Sequence, residues 1–132
     1  MRTTSWVIAA FVVGLGLTAA AAQDKYAGVW SGGWEGPNGS SGGIELTIEK
    51  GKDDGPAGRV SVTGEPTYKA TFKSLTFDGP KMTARYDFPP DETIEIVLVA
   101  TLDGAAAKGT WSAREKASGN VVSAGTFNVT RK

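Results

Sequence analysis

The side-chain chemistry open to this sequence is limited by two absences, since it contains neither histidine nor cysteine. It therefore lacks the commonest general base, the thiolate nucleophile and the usual nitrogen and sulfur ligands of transition metals. A serine nucleophile has no histidine to take its proton. Carboxylate pairs of the glycosidase kind remain, with Glu35, Glu45, Glu65, Asp87, Asp91 and Glu92 as candidates. Most of these fall in turns or at outward strand positions, where a carboxylate is ordinarily solvated. Asp53-Asp54 offers oxygen ligands for calcium, but EF-hand spacing is missing and a plain turn is the simpler reading. The loop 35–43, EGPNGSSGG, is glycine-rich. It lacks the Lys-Ser/Thr pair and the following helix with which such a loop holds phosphate. These residues describe a protein that is not an enzyme and that uses no cofactor and no metal.

Binding chemistry is better served. Trp30, Trp34, Tyr68, Tyr86, Trp111 and Phe127 are the candidate ligand-binding residues. Two Gly-x-Trp units stand in tandem, Gly28-Val29-Trp30 and Gly32-Gly33-Trp34, and Gly109-Thr110-Trp111 and Gly125-Thr126-Phe127 repeat the pattern. On a strand, residues two apart share a face, so large and small side chains alternate there and a ring has room to lie over a glycine. Such aromatics either seal the interior or wall a ligand site, and interior aromatics are usually core. The hydroxyls of Tyr26, Tyr68 and Tyr86 and of Ser123 are the polar handles on an otherwise apolar interior. A ligand there is apolar or aromatic and takes one or two hydrogen bonds from Tyr68 or Tyr86.

The elements that position these residues are strands. Ile44, Leu46 and Ile48 alternate with polar neighbours, as do Val60 and Val62, then Met82, Ala84, Tyr86 and Phe88, then Ile94, Ile96 and Leu98. A period of two means one buried and one wet face. Turn signals such as Asp78-Gly79-Pro80, Asp103-Gly104 and Ser118-Gly119-Asn120 separate the runs. The expected fold is all-β, with eight strands near 26–34, 43–49, 57–63, 67–77, 81–88, 92–102, 106–114 and 121–130. Short connections favour an antiparallel up-and-down barrel, in which the first and last strands are neighbours. A two-sheet β-sandwich is the alternative. Within 67–77 the apolar residues change parity between Phe72 and Leu75, which a β-bulge near Lys73-Ser74 would accommodate. Val97 and Val99 are expected on the outer face as a contact patch.

A Gly-x-Trp on the first strand, a long loop after it, a β-meander and a Gly-x-Trp near the end resemble the calycin barrels, lipocalins and avidins. The resemblance covers the strand order of 23–132. It implies an eight-stranded barrel that holds a small ligand at its open end, with Trp30 or Trp34 closing the floor and loop 35–43 at the entrance. The sequence departs from that group in having no disulfide, no C-terminal helix and no evident ring of polar residues of the biotin-binding type.

Residues 1–22 read as a secretory signal peptide. Arg2 precedes the apolar run 5–17, and small residues follow up to Ala22. The run is short for a membrane span. The single domain is then 23–132, secreted or periplasmic, with no stable membrane insertion after cleavage. The 14 basic and 14 acidic residues of the full sequence balance, and loss of Arg2 with the signal leaves the domain near neutral, so a nucleic-acid partner is not expected. The expected partner is a small apolar ligand. The alternative is a protein partner, met by a module with a filled core such as a hydrolase inhibitor or an envelope-associated protein.

Overall fold

A computed structural model describes residues 25–51 and 55–132. The expected signal peptide and the Asp53-Asp54 turn lie outside the described residues. The chain forms nine strands: β1 Gly28–Glu35, β2 Ser41–Lys50, β3 Pro56–Val62, β4 Tyr68–Thr71, β5 Ser74–Asp78, β6 Lys81–Asp87, β7 Ile94–Asp103, β8 Ala106–Glu115 and β9 Val121–Arg131. All belong to one curled antiparallel sheet in the order β4-β3-β2-β1-β9-β8-β7-β6-β5. A single sheet replaces the two of a sandwich. The first and last strands are paired, with Phe127 opposite Trp34 and Val129 opposite Gly32.

The strand count exceeds the expected eight because the segment near 67–77 is two strands, at opposite edges of the sheet. The Phe72 N–H donates to the Gly58 carbonyl at 2.9 Å, while the next N–H, of Lys73, donates to the Arg85 carbonyl at 2.8 Å. Neighbouring residues of an extended chain point their amides to opposite sides, so one residue step moves the chain from β3 to β6. The parity change that suggested a bulge is this change of partner. A register shift does occur elsewhere, between Val121 and Ser123 of β9.

The alternating pattern places its apolar set on the concave face. Trp30, Leu46, Ile48, Val60, Met82, Tyr86, Leu98, Phe127 and Val129 are almost fully buried there. Tyr68, Phe77, Phe88, Ile94 and Trp111 are half-buried and pack against them. Val97 departs from expectation: it is on the outer face yet only 3% exposed. It lies opposite Arg85 on one side and Ser112 on the other, and long side chains cover apolar neighbours with their aliphatic stems. It therefore supplies no contact patch.

At the end remote from the cavity described below, the floor is built around Trp30. Its indole N–H donates to the Tyr26 carbonyl at 3.0 Å, and the Arg131 guanidinium lies 4.6 Å over its ring, a favourable cation–π geometry. Tyr26 stacks on Phe77 at 5.2 Å, which ties the segment before β1 to the edge strand β5.

Outside the sheet, ion pairs converge on Lys73, at the step between β4 and β5. Its ammonium is 2.8 Å from Asp87 and 2.6 Å from Glu95; Arg85 also pairs with Glu95, and Lys116 with Asp87. The bond from Lys73, and then that from Lys116, holds the Asp87 carboxyl below its ordinary value of 3.8. Lys73 is likewise the main cause that lowers Glu95 below 4.5, with Arg85 assisting. Groups whose pKa is depressed in the folded state stabilise it above the unfolded value and lose that contribution as pH falls through the folded one. Asp87 is solvent-exposed and Glu95 remains in part open to water, so screening keeps their effect on stability small. In an NMR pH titration both carboxyls should ionise below their ordinary values, and Lys73→Met should move both midpoints upward. Unchanged midpoints in the variant would show that the network does not exist in solution.

Candidate functional site

A cavity of about 340 Å³ opens at the end of the curled sheet where β1–β2, β3–β4, β6–β7 and β8–β9 connect. Its deep wall is apolar, formed by Ile44, Val62, Ile96 and Leu98 with Ala113. Aromatic groups stand above it, Trp34 and Trp111 on one side and Tyr68, Tyr86 and Phe88 on the other. Pro37, Ser40, Glu65, Pro66, Ile94, Val122 and Ser123 complete the lining.

The two tryptophans are positioned by the same device. Trp34 of β1 is opposite Gly42 of β2, and a Cβ on Gly42 would lie 2.6 Å from the Trp34 indole nitrogen. The indole crosses that glycine and donates to the carbonyl of Thr63, just past β3, at 3.1 Å. Trp111 of β8 is opposite Gly125 of β9, and a Cβ on Gly125 would lie 2.6 Å from its nitrogen. This indole crosses β9 and donates to the Glu35 carbonyl of β1 at 3.0 Å. Each ring thus spans three strands along the wall, and the two rings meet edge to face at 6.1 Å, a favoured aromatic geometry.

Across the cavity the Tyr68 and Tyr86 hydroxyls are 2.7 Å apart and share one hydrogen bond. Tyr68 also meets Phe88 edge to face at 5.2 Å. Because β4 and β6 are not ladder partners over this stretch, these side chains span the gap between them from within. Burial pushes the Tyr86 phenol strongly upward, and proximity to Tyr68 adds to it. Burial also raises Tyr68, against the opposing effect of the Tyr86 bond. Both phenols are therefore neutral at physiological pH.

Four of the six candidate residues, Trp34, Tyr68, Tyr86 and Trp111, line this one cavity. Trp30 does not; it belongs to the floor. Phe127 does not either, being 1% exposed in the core between Trp34 and Gly109 in register. Of the six candidate carboxylates, Glu65 alone reaches the cavity. Asp87 is held by Lys73 and Lys116, Glu45 pairs with Lys132, and Asp91 accepts from the Thr93 hydroxyl. Among the described residues no group of His, Cys, Asp or Glu is placed to hold a metal. No helix among them is long and apolar enough to cross a membrane.

Sequence reading missed the rim. Val121 and Val122, 53% and 55% exposed, are the exposed large hydrophobic residues of the described chain, and Val122 lines the cavity. Two adjacent apolar residues at a strand start, right after Ser118-Gly119-Asn120, were the available signal. The loop 35–43 contributes Pro37 and Ser40 to the same rim, folded as a single tight turn over Pro37–Gly39.

The indole device is testable through Gly125. A Cβ there would lie 1.9 Å from the Glu35 carbonyl oxygen, the acceptor of the Trp111 bond. Gly125→Ala should destabilise the fold by about 1–3 kcal/mol, as overpacking does, and red-shift tryptophan emission. Gly55→Ala, whose added Cβ meets no atom of the described residues within 4 Å, should stay within about 0.5 kcal/mol of the parent. Equal denaturation midpoints for the two variants would refute the close approach. No family model matches the chain, and no curated protein or solved structure matches it either.

Proposed function

We propose that this protein is a secreted or periplasmic, non-catalytic binder of one small apolar or aromatic molecule. The observation that carries this reading is the cavity of about 340 Å³, walled by apolar and aromatic side chains with a few hydroxyls converging on it. That volume falls in the range of small-molecule sites, which are mostly apolar with a small number of placed polar groups. The order of residues 1–22 supports export.

In this reading the curled sheet is an eight-stranded closed barrel of the calycin type, with 68–78 as one strand that changes partner midway. The consecutive bonds from Phe72 to Gly58 and from Lys73 to Arg85 support closure. Trp30 takes the floor position, and loop 35–43 covers the entrance. Slowed hydrogen exchange in that loop on ligand binding is the expected sign of the cover.

A second reading is a protein-binding module, either a hydrolase inhibitor or an envelope-associated protein. The exposed pair Val121-Val122 at the rim favours it, since exposed apolar patches mark contact surfaces. Ala113→Phe separates the two. Ala113 faces the cavity, so a phenyl ring there fills the binding space without touching the rim from outside. For the small-molecule binder, native mass spectrometry of protein from its own host should show a bound mass that the variant loses. The variant should also lose at least about tenfold in affinity for an apolar fluorescent dye, the cost of excluding a ligand that buries apolar surface. A bare parent mass with no dye response would overturn the reading and leave the protein-binding module.

A further inference from the structure

We infer that the cavity selects an uncharged ring compound carrying one carbonyl or ether oxygen, which accepts the single proton that the Tyr68–Tyr86 pair has left over. The inference rests on the small-molecule reading of the cavity and specifies the ligand class. Two phenols carry two protons. One is used between them, across 2.7 Å. The other has no acceptor among the described residues; it sits on whichever hydroxyl accepts that bond, that of Tyr86, which is 1% exposed, or that of Tyr68, which is half-buried, and both rings line the cavity. A buried donor is satisfied or it costs free energy, so the best ligand brings an acceptor to that point.

Of the other donors on the lining, the Ser40 hydroxyl gives its proton to the Pro37 carbonyl, and Ser123 keeps one further hydroxyl at the rim. The Trp34 and Trp111 indoles give their N–H groups to the Thr63 and Glu35 carbonyls. No lysine or arginine lines the cavity, and Glu65 is its one charged residue. A carboxylate or phosphate would enter without a cation to offset its desolvation. An ammonium would find its carboxylate only on the exposed Glu65, where solvent screens the attraction. A pure hydrocarbon would leave the phenol proton unmet. Size is compatible with two fused rings: benzene occupies an apolar cavity of roughly 150 Å³, under half of the about 340 Å³ present here.

The test is a matched naphthalene series titrated against the purified protein by tryptophan fluorescence and calorimetry: 2-acetylnaphthalene, 2-ethylnaphthalene, 2-naphthoate and 2-naphthylmethylammonium. The ketone should bind about tenfold more tightly than the hydrocarbon, one satisfied hydrogen bond, and both ions should bind more weakly than the ketone. Either single Tyr→Phe variant keeps one hydroxyl and part of the preference. The double Tyr68→Phe/Tyr86→Phe removes both, and its ketone-to-hydrocarbon affinity ratio should fall to about one. Should the double variant fail to fold, the infrared carbonyl stretch of 2-acetylnaphthalene bound to the parent protein decides. A shift to lower wavenumber than in hexane supports the hydrogen bond, and no shift overturns it. Equal affinity for ketone and hydrocarbon, or tighter binding of either ion, overturns the inference while leaving the cavity as a binding site. Failure of the whole series to bind overturns both.

Discussion

The cavity end of the sheet depends on two indoles lying flat against glycine. A strand neighbour is about 4.8 Å away, so a ring that reaches a carbonyl two strands over must cross the strand between them. It can do so only where that strand presents no side chain. Gly42 under Trp34 and Gly125 under Trp111 satisfy the condition. The glycines two residues before each tryptophan serve a different end. A Cβ on Gly32 would meet the Asn128 carbonyl oxygen at 1.9 Å, and one on Gly109 the Val99 carbonyl oxygen at 2.2 Å. Those positions let the backbones of adjacent strands crowd together, which is how a sheet bends sharply inward.

Curling brings the two edge strands, β4 and β5, to consecutive places in the chain, and this sets how the sheet ends are held. Free sheet edges invite pairing with other chains. Here the edges are four and five residues long, and the stretch between them bonds to one side and then to the other within one residue. Alongside that step, side chains replace the missing ladder. Tyr68, Tyr86 and Phe88 meet inside the sheet, and Lys73 collects Asp87 and Glu95 outside it. The inner contacts are the same groups that face the cavity. The lining of the cavity and the side-chain link between β4 and β6 therefore draw on one pair of phenols.

Much of this was legible from a period of two. Alternation at 44–48, 60–62, 82–88 and 94–98 placed the inward set, and its members are buried or packed on the core. Turn glycines marked the hairpins; Gly79 and Gly104 have φ of 60° and 62°, which glycine adopts without strain. The parity change at 72–75 was visible, but its cause was not. A bulge and a change of partner leave the same trace in a sequence, since both move one set of side chains to the other face. Val97 misled because an outward position reads as wet, whereas its cross-strand neighbours include Arg85. The mouth was only half legible. Trp34 and Trp111 stood out by type, while Glu65, Pro66 and Val122 reach the cavity through loop and bulge geometry that no periodicity encodes.

The least legible property was whether the interior is hollow, and the answer follows from the direction of the rings. A small curled sheet can be filled by its own side chains, and the three tryptophans of the described residues, Trp30, Trp34 and Trp111, suggest filling when they are taken to point across its interior. At the floor that expectation holds. Trp30 is buried with Arg131 over it, and Tyr26 and Phe77 stack beside it. At the mouth it fails, because Trp34 and Trp111 run along the wall, tied by their N–H groups to neighbouring carbonyls. A ring laid on the wall contributes its face to the lumen but little of its length. The inward position at Ala113 also carries only a methyl group. The glycine–tryptophan pairs that read in sequence as a plug thus have the opposite effect at this end: by drawing two of the largest side chains flat against the sheet, they keep space open inside it.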